Sequence, residues 1–165
     1  MQPLVRRVYV ASSWRNDIQP AVVAACRAAG HEAYDFKNPR PGDHGFHWSE
    51  IDRDWKAWDC ETYRNALSHP VAEAGFASDW NAMEWADSCI LVMPCGRSAH
   101  IEAGYFRGSR KRLVILLADG EPELMYKMAD HIALTVDEAV AALSANRGWQ
   151  LAKEAEKWFD EDLNA

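Results

Sequence analysis

Two short, almost unbroken apolar runs, SCILVMP (88–94) and KRLVILLAD (111–119), constrain the fold of this chain more than any other feature. A strand with one wet face alternates apolar and polar residues, whereas a strand that is apolar throughout must be covered on both faces, as in parallel sheets flanked by helices. The rest of the chain supplies the pieces such a sheet needs. VRRVYVA (5–11) reads as a first strand, SSWRND as the turn after it, and IQPAVVAACRAAG (18–30) as a helix with Val22, Val23, Cys26 and Ala29 at helical spacing, closed by Gly30. HEAYDF (31–36) restarts as a strand, which completes a β-α-β unit. VAEAGFASDWNAMEWAD is a helix before the 88–94 run, and CGRSAHIEAGYFRGS is a loop opening into a helix after it. HIAL is a short fifth strand, VDEAVAALSAN a helix, and GWQLAKEAEKWFDEDLNA (148–165) a last, acidic amphipathic helix with Trp149, Ala152, Ala155, Trp158 and Phe159 on one side. The expected architecture is a three-layer α/β/α sandwich, flavodoxin- or Rossmann-like, with about five mostly parallel strands in a single domain over 1–165.

Residues 37–70 break that rhythm. The segment is rich in Pro, Gly, His and Trp and has weak periodicity, yet it is too aromatic for a disordered linker. It reads as an ordered excursion, an inserted loop or lid that covers something.

Several function classes are excluded at this stage. A net charge of −7 argues against a nucleic-acid polymer as partner, because backbone phosphates need a basic stripe; a small anionic ligand stays possible. No run approaches the ~18 apolar residues of a membrane span. The N-terminal MQPLVRRVYVASS has no long apolar stretch ending in a cleavage site, so no signal peptide is expected. The four cysteines (Cys26, Cys60, Cys89, Cys95) show no CxxC spacing, and reduced thiols in a cytoplasmic protein are expected over a disulfide framework. His44 and His47 form an HxxH, but no third ligand stands at a supporting spacing, so no metal is expected. With Phe46 and Trp48 they could wall a pocket for a flat ring, or pack the loop down.

In open parallel sheets ligands bind beyond the carboxyl ends of the strands. That places SSWRND, the Asp35 region, PCGRSAHIEAG and ADGEPELMY at the candidate site. Glu102 stands out. A first-turn carboxylate gains from the helix dipole, and that is its bland explanation. It lies four residues after Ser98, so a capping box does not account for it, and Ala99, Ile101, Ala103 and Gly104 around it indicate partial burial. Ser12, Ser13 and Asn16 could cap the first helix, but hydroxyls, backbone N–H groups and Arg15 at a helix N-terminus also suit a phosphate. Neither a Walker loop nor GxGxxG is present, so ATP and dinucleotide signatures are absent. Cys95 beside His100 is a conceivable nucleophile without an orienting acid at a recognisable spacing. Asp79, taken alone, reads as a solvated helix residue.

The strings VYVASSWR, ASDWNAMEWADSCILVMP and SAHIEAG together resemble the nucleoside 2-deoxyribosyltransferase-like family, which includes nucleotide N-glycosidases. The resemblance spans roughly 5–143 apart from the 37–70 excursion, so it implies nothing about the base pocket. It implies Glu102 as nucleophile, Asp79 as the acid that handles the leaving base, and Tyr9 as the strand tyrosine near sugar and nucleophile. It also implies Ser13 and Arg15 as turn residues that hold a 5′-phosphate; by their place beyond the strand ends or in the excursion, Ser12, Trp14, Asp35, His47, Gly96 and Ser98 are further substrate-binding candidates. A small-molecule nucleoside or nucleotide as substrate, no cofactor, and a homodimer or higher homo-oligomer follow as expectations. A residue donated by a neighbouring subunit has only Asp119 and Tyr126 as candidates. Two other readings stay open: a TIR-like domain, which would cleave nicotinamide from NAD or act in signalling, and a non-catalytic nucleotide-binding or interaction module.

Overall fold

The two apolar runs become the centre of a five-stranded, all-parallel sheet: β1 (Arg7–Ala11), β2 (Glu32–Tyr34), β3 (Ser88–Val92), β4 (Arg112–Leu116) and β5 (His131–Ala133), in the order β2-β1-β3-β4-β5. The computed structural model describes residues 4–118 and 123–145; the helix expected at 148–165 lies outside the described residues, as does Asp119. Strand periodicity sorts the side chains into two layers. Val8, Val10, Ile90, Val92, Val114 and Leu116 face α1 (Gln19–Ala28) and α5 (Val136–Ser144), where they meet Val22, Cys26, Ala139 and Leu143. Tyr9, Ala11, Cys89, Leu91, Leu113 and Ile115 face the opposite layer, α3 (Pro70–Trp85) and α4 (Arg97–Gly108), where they meet Ala82, Met83, Ala99, Ala103 and Phe106. This is the three-layer α/β/α sandwich expected from the sequence.

The helices begin where local chemistry satisfies their first N–H groups. Asn16 Oδ1 accepts from the N–H groups of Ile18 and Gln19, both at 2.8 Å, and Gly30 (φ +84°) follows the end of α1. His69 Nδ1 accepts from Val71 N at 3.2 Å ahead of Pro70 in the first turn of α3. Thr135 Oγ1 does the same for Glu138 N in α5. Asp87 ties the strand starts together: its N–H donates to Arg7 O (2.9 Å), its Oδ2 accepts from Arg7 N (3.2 Å), and its carbonyl accepts from Arg112 N (3.2 Å).

The 37–70 excursion is ordered, and part of it is helical. It contains 3-10 turns at Trp48–Glu50 and Trp55–Ala57, and a seven-residue helix, α2 (Cys60–Ala66), capped by Asp59 accepting from Thr62 N at 2.8 Å. No residue of α2 is buried, so it carries no apolar periodicity that a sequence reading could find. Its aromatic rings pack on one another: Trp48 stands edge-on to Phe46, Trp58 and Tyr63, with ring centroids 4.7, 5.6 and 5.7 Å away.

Two glycines fasten the excursion to the domain. Gly45 (φ +73°) sits so close to Phe36 O and the Trp14 ring that a Cβ there would fall 2.3 and 2.9 Å from them. Gly75, on α3, lets the Phe46 side chain rest directly on the helix; a Cβ would fall 2.7 Å from Phe46 Cβ. Gly75→Ala should therefore lift the excursion while leaving the sheet intact. The expected outcome is faster limited proteolysis within 39–58 and a Tm lowered by a few degrees, corresponding to roughly 1–3 kcal/mol of overpacking. Unchanged cleavage kinetics would show that the contact does not hold the segment down.

Candidate active site

The order β2-β1-β3-β4-β5 changes direction between β1 and β3, and the loops leaving those two strands diverge to opposite faces of the sheet. The two loops are stitched across the gap. Ser12 Oγ donates to Val92 O at 2.8 Å, and Asn16 Nδ2 donates to Pro94 O at 3.0 Å. Ser12 and Asn16 therefore shape the crevice, while Ser13 is half-buried and Trp14 and Arg15 are exposed at its rim. Trp14 is held by Phe36 (5.2 Å, edge-on) and by His47 of the excursion (4.2 Å between ring centroids).

α4 carries the carboxylate. Its core-facing stripe is Ala99, Ala103 and Phe106, and Glu102 lies on the same side, three residues after Ala99 and four before Phe106. The two alanines let the helix sit close to the sheet, which brings Glu102 onto Tyr9. Tyr9 is fully buried at the centre of β1, and its hydroxyl donates to Glu102 Oε1 at 3.1 Å. A buried tyrosine hydroxyl needs a partner, and a half-buried carboxylate needs a donor; each answers the other.

The second pair repeats the arrangement. Tyr34 is the register partner of Tyr9 in the adjacent strand, so both rings leave the same face of the sheet, stacked at 5.4 Å with 19° between planes. Tyr34 Oη donates to Asp79 Oδ1 at 2.9 Å and lies 3.1 Å from Ser78 Oγ. Ser78 and Asp79 belong to a stripe of α3 that runs Val71, Ala74, Gly75, Ser78, Asp79. With the excursion this stripe encloses a cavity of about 280 Å³. Two stacked tyrosines thus present two carboxylates from two helices.

Burial controls the electrostatics. It pushes the Glu102 carboxyl up to about 7, the Asp79 charge adds to the effect, and the Tyr9 hydrogen bond opposes it. Asp79 is also raised by burial, with the Tyr34 hydrogen bond opposing and the Asp43 charge reinforcing. Burial lifts both tyrosine hydroxyls well above their ordinary range, so they remain protonated donors at any working pH. The result is one carboxyl poised to change protonation state near neutrality, coupled to a second that burial raises in the same direction.

The other candidates are placed as follows. Asp35, one residue beyond Tyr34, turns to the α1 side; it accepts from Gln19 Nε2 (2.9 Å), Lys37 N (3.1 Å) and Asn38 Nδ2 (3.0 Å). Its oxygens hold the β2 turn to α1 and do not join the Glu102–Asp79 cluster. Gly96 precedes α4 and its carbonyl is bound by His100 Nδ1 at 2.9 Å; Ser98 is exposed in the first turn. Cys95 Sγ lies 3.6 Å from His100 Nδ1, but burial and then the Glu102 charge push its thiol up to about 11, so it is neutral near pH 7 and not an activated nucleophile. His100 Nε2 reaches the Tyr126 hydroxyl at 2.9 Å. Among the described residues no group of three or more His, Cys, Asp or Glu is arranged to hold a metal ion, and no helix is long and apolar enough to cross a membrane. Tyr34 is the residue that sequence reasoning missed. The available signal was parity: a tyrosine paired in register with Tyr9 must share its face.

No protein-family model and no curated protein matches the chain. Among solved structures, the chain is similar to a 2-deoxyribosyltransferase from the psychrotolerant bacterium Bacillus psychrosaccharolyticus, at 15% identity and a TM-score of 0.54, over 88% of this chain and 93% of that one. It also overlaps a CMP N-glycosidase of Clostridium botulinum, at 14% identity and a TM-score of 0.43, over 84% of this chain and 98% of that one. The first likeness establishes a common fold, a parallel α/β/α sandwich extending over nearly the whole of both chains.

Proposed function

We propose that the chain cleaves the C1′–N bond of a nucleoside or nucleoside 5′-monophosphate, with Glu102 as nucleophile. The single observation that carries this reading is the hydrogen-bonded pair of pairs, Tyr9–Glu102 on β1 and α4 beside Tyr34–Asp79 on β2 and α3. The fold neighbour that transfers a deoxyribosyl group belongs to the same reaction class.

The chemistry follows from the placement. A Glu102 oxygen attacks C1′ as the C1′–N bond breaks and its electron pair passes to the base nitrogen, through a transition state with oxocarbenium character. Asp79, whose carboxyl burial raises above the ordinary range, is the group placed to give a proton to the departing base. Tyr9 holds the other end of the geometry by fixing the Glu102 rotamer. Water then attacks C1′ of the glycosyl ester, gives its proton to Asp79 and releases Glu102 as carboxylate; a second base in place of water makes the same site a transferase. Arg15 and Ser13, at the rim after β1, suit a 5′-phosphate and favour a nucleotide over a free nucleoside. A homo-oligomer belongs to the same proposal. It is supported by an exposed apolar band across α3 and α4, where Phe76 stacks on Trp80, Trp80 meets Tyr105, and Ile101 is 75% exposed. Light scattering should then give at least twice the chain mass; a monomer at micromolar concentration contradicts this part.

The direct test is chromatographic detection of free base from nucleosides, their 5′-monophosphates and NAD. The expected result is release from a nucleoside or monophosphate, lowered about 10³-fold or more in Glu102→Ala and about 10²-fold in Asp79→Asn. An active Glu102→Ala protein with intact fold would sink the mechanism. Nicotinamide release from NAD alone would support a TIR-like enzyme instead, and tight nucleotide binding without turnover a binding module.

Two further outcomes follow from the raised Glu102 carboxyl. The reactive free enzyme has Asp79 protonated and Glu102 ionised, so kcat/KM should show two limbs, a fall with pH where Asp79 loses its proton and a climb with pH toward about 7 as Glu102 ionises. Tyr9→Phe removes the hydrogen bond that favours the ionised form of Glu102 and should move the climbing limb to higher pH; an unshifted limb would remove Tyr9 from its positioning role. The same group costs stability. A carboxyl raised in the folded state binds more protons there than in the unfolded chain, so stability falls as pH rises from about 4.5 through about 7. Glu102→Gln should thus be the more stable protein at about pH 8, by about 2 kcal/mol or roughly 4–8 °C in Tm. The difference should vanish toward about pH 4, and equal melting curves at both pH values would contradict the burial of a charged Glu102.

A further inference from the structure

We propose that the cavity beside Asp79 reads the exocyclic amine of a nucleobase, with Glu50 of the excursion as the acceptor that selects an amino-bearing base over its carbonyl counterpart. This rests on the reading of the Glu102–Asp79 site as an N-glycosidase and assigns the base specificity that the fold leaves open.

Shape comes first. The cavity of about 280 Å³ lies at the lower end of small-molecule sites, the size for one heteroaromatic ring system rather than a whole nucleotide. Tyr34, Phe36 and Phe46 give it flat aromatic walls. Asp79 lines it from α3, the side on which the scissile nitrogen would lie, and the excursion contributes Arg40, Asp43 and Glu50.

Polarity then decides what fits. Three carboxylates, Asp43, Glu50 and Asp79, line the space against one guanidinium. That guanidinium is already engaged: Arg40 Nε and Nη2 both donate to Asp43 Oδ2, at 3.2 and 3.0 Å, and the side chain is 70% exposed. Asp43 Oδ1 accepts from Gly45 N at 3.0 Å, so the Arg40–Asp43 pair serves chiefly to hold the turn. Glu50 differs. It is exposed, its Oε1 accepts from His47 N at 3.0 Å, and its Oε2 has no hydrogen-bond partner among the described residues. The excursion side of the cavity is therefore acceptor-rich. An N–H₂ group donates into it, whereas a ring carbonyl in the same place would face a carboxylate with no donor between them. A phosphate would be repelled, which orients a nucleotide with its base inward and its 5′-phosphate toward the Arg15 rim.

The test uses pairs that differ only by this exchange: cytosine against uracil and adenine against hypoxanthine, as 5′-monophosphates for turnover and as free bases for binding by calorimetry. The wild-type protein should favour the amino member by about tenfold or more in kcat/KM and in Kd. Glu50→Gln keeps an oxygen for His47 N and puts an amide N–H₂ where Oε2 was. It should bring each pair to within about threefold, by improving the carbonyl member as well as weakening the amino one. A structural lesion would lower both members together and leave the ratio unchanged. Equal handling of both members by the wild type, or a ratio untouched by Glu50→Gln, overturns the inference, as does failure of every free base to bind. Selective binding of amino-bearing bases without any turnover would uphold the pocket and defeat the N-glycosidase reading, so the two fail separately.

Discussion

A carboxylate on the core-facing stripe of a helix is tolerated only if something donates to it, and Tyr9 supplies that donor from the middle of a strand. The hydrogen bond from Tyr9 Oη to Glu102 Oε1 joins the deepest part of the core to the crevice at the strand ends. Other features depend on it or serve it. Ala99 and Ala103 are small so that α4 can approach; Tyr34 is in register with Tyr9 so that a second hydroxyl emerges beside the first; Asp79 is brought onto that hydroxyl by the stripe of α3 that also walls the cavity. A charge kept in such a place destabilises the fold, and this cost is what makes the carboxyl a candidate for a functional role.

The sheet was legible because its physics is local. Apolar runs at 88–94 and 111–119 can be buried only between two helical layers, and the helix-length connections between strands make the pairing parallel. Glu102 was legible for a related reason: a carboxylate flanked by small apolar residues, at a spacing that no capping motif explains, has little reason to face water. Asp79 was not, since on its own helix it looks like any solvated acid, and only the resemblance singled it out. In the β2 region, Asp35 is a candidate by its place beyond the carboxyl end of the second strand, while parity puts residue 34 on the face of Tyr9 and turns Asp35 to Gln19. In the excursion the obstacle was different. Its order comes from aromatic contacts, Asx turns and two glycine clearances, none of which leaves a period in the sequence.

Division of labour across the site then has a physical basis. The scaffold strands supply the tyrosines, which never ionise; the helices supply the two acids, whose protonation burial has moved toward neutrality; the excursion supplies an outer wall unrelated to the sheet. Under the proposed function, bond cleavage would reside in the most constrained part of the molecule and base choice in the excursion, where the chain can change without disturbing the core.

The central claim, that Glu102 forms a covalent bond to the sugar, is tested most directly by trapping. A 2′-fluoro-substituted nucleotide slows both steps by destabilising the oxocarbenium-like transition state, and with a good leaving base it lets the glycosyl ester accumulate. Intact-mass analysis followed by peptide mapping should then show the fluorinated sugar attached to the peptide that contains Glu102, and no adduct in Glu102→Gln. Turnover of the natural substrate with no adduct, or an adduct on any other residue, would contradict Glu102 as the nucleophile.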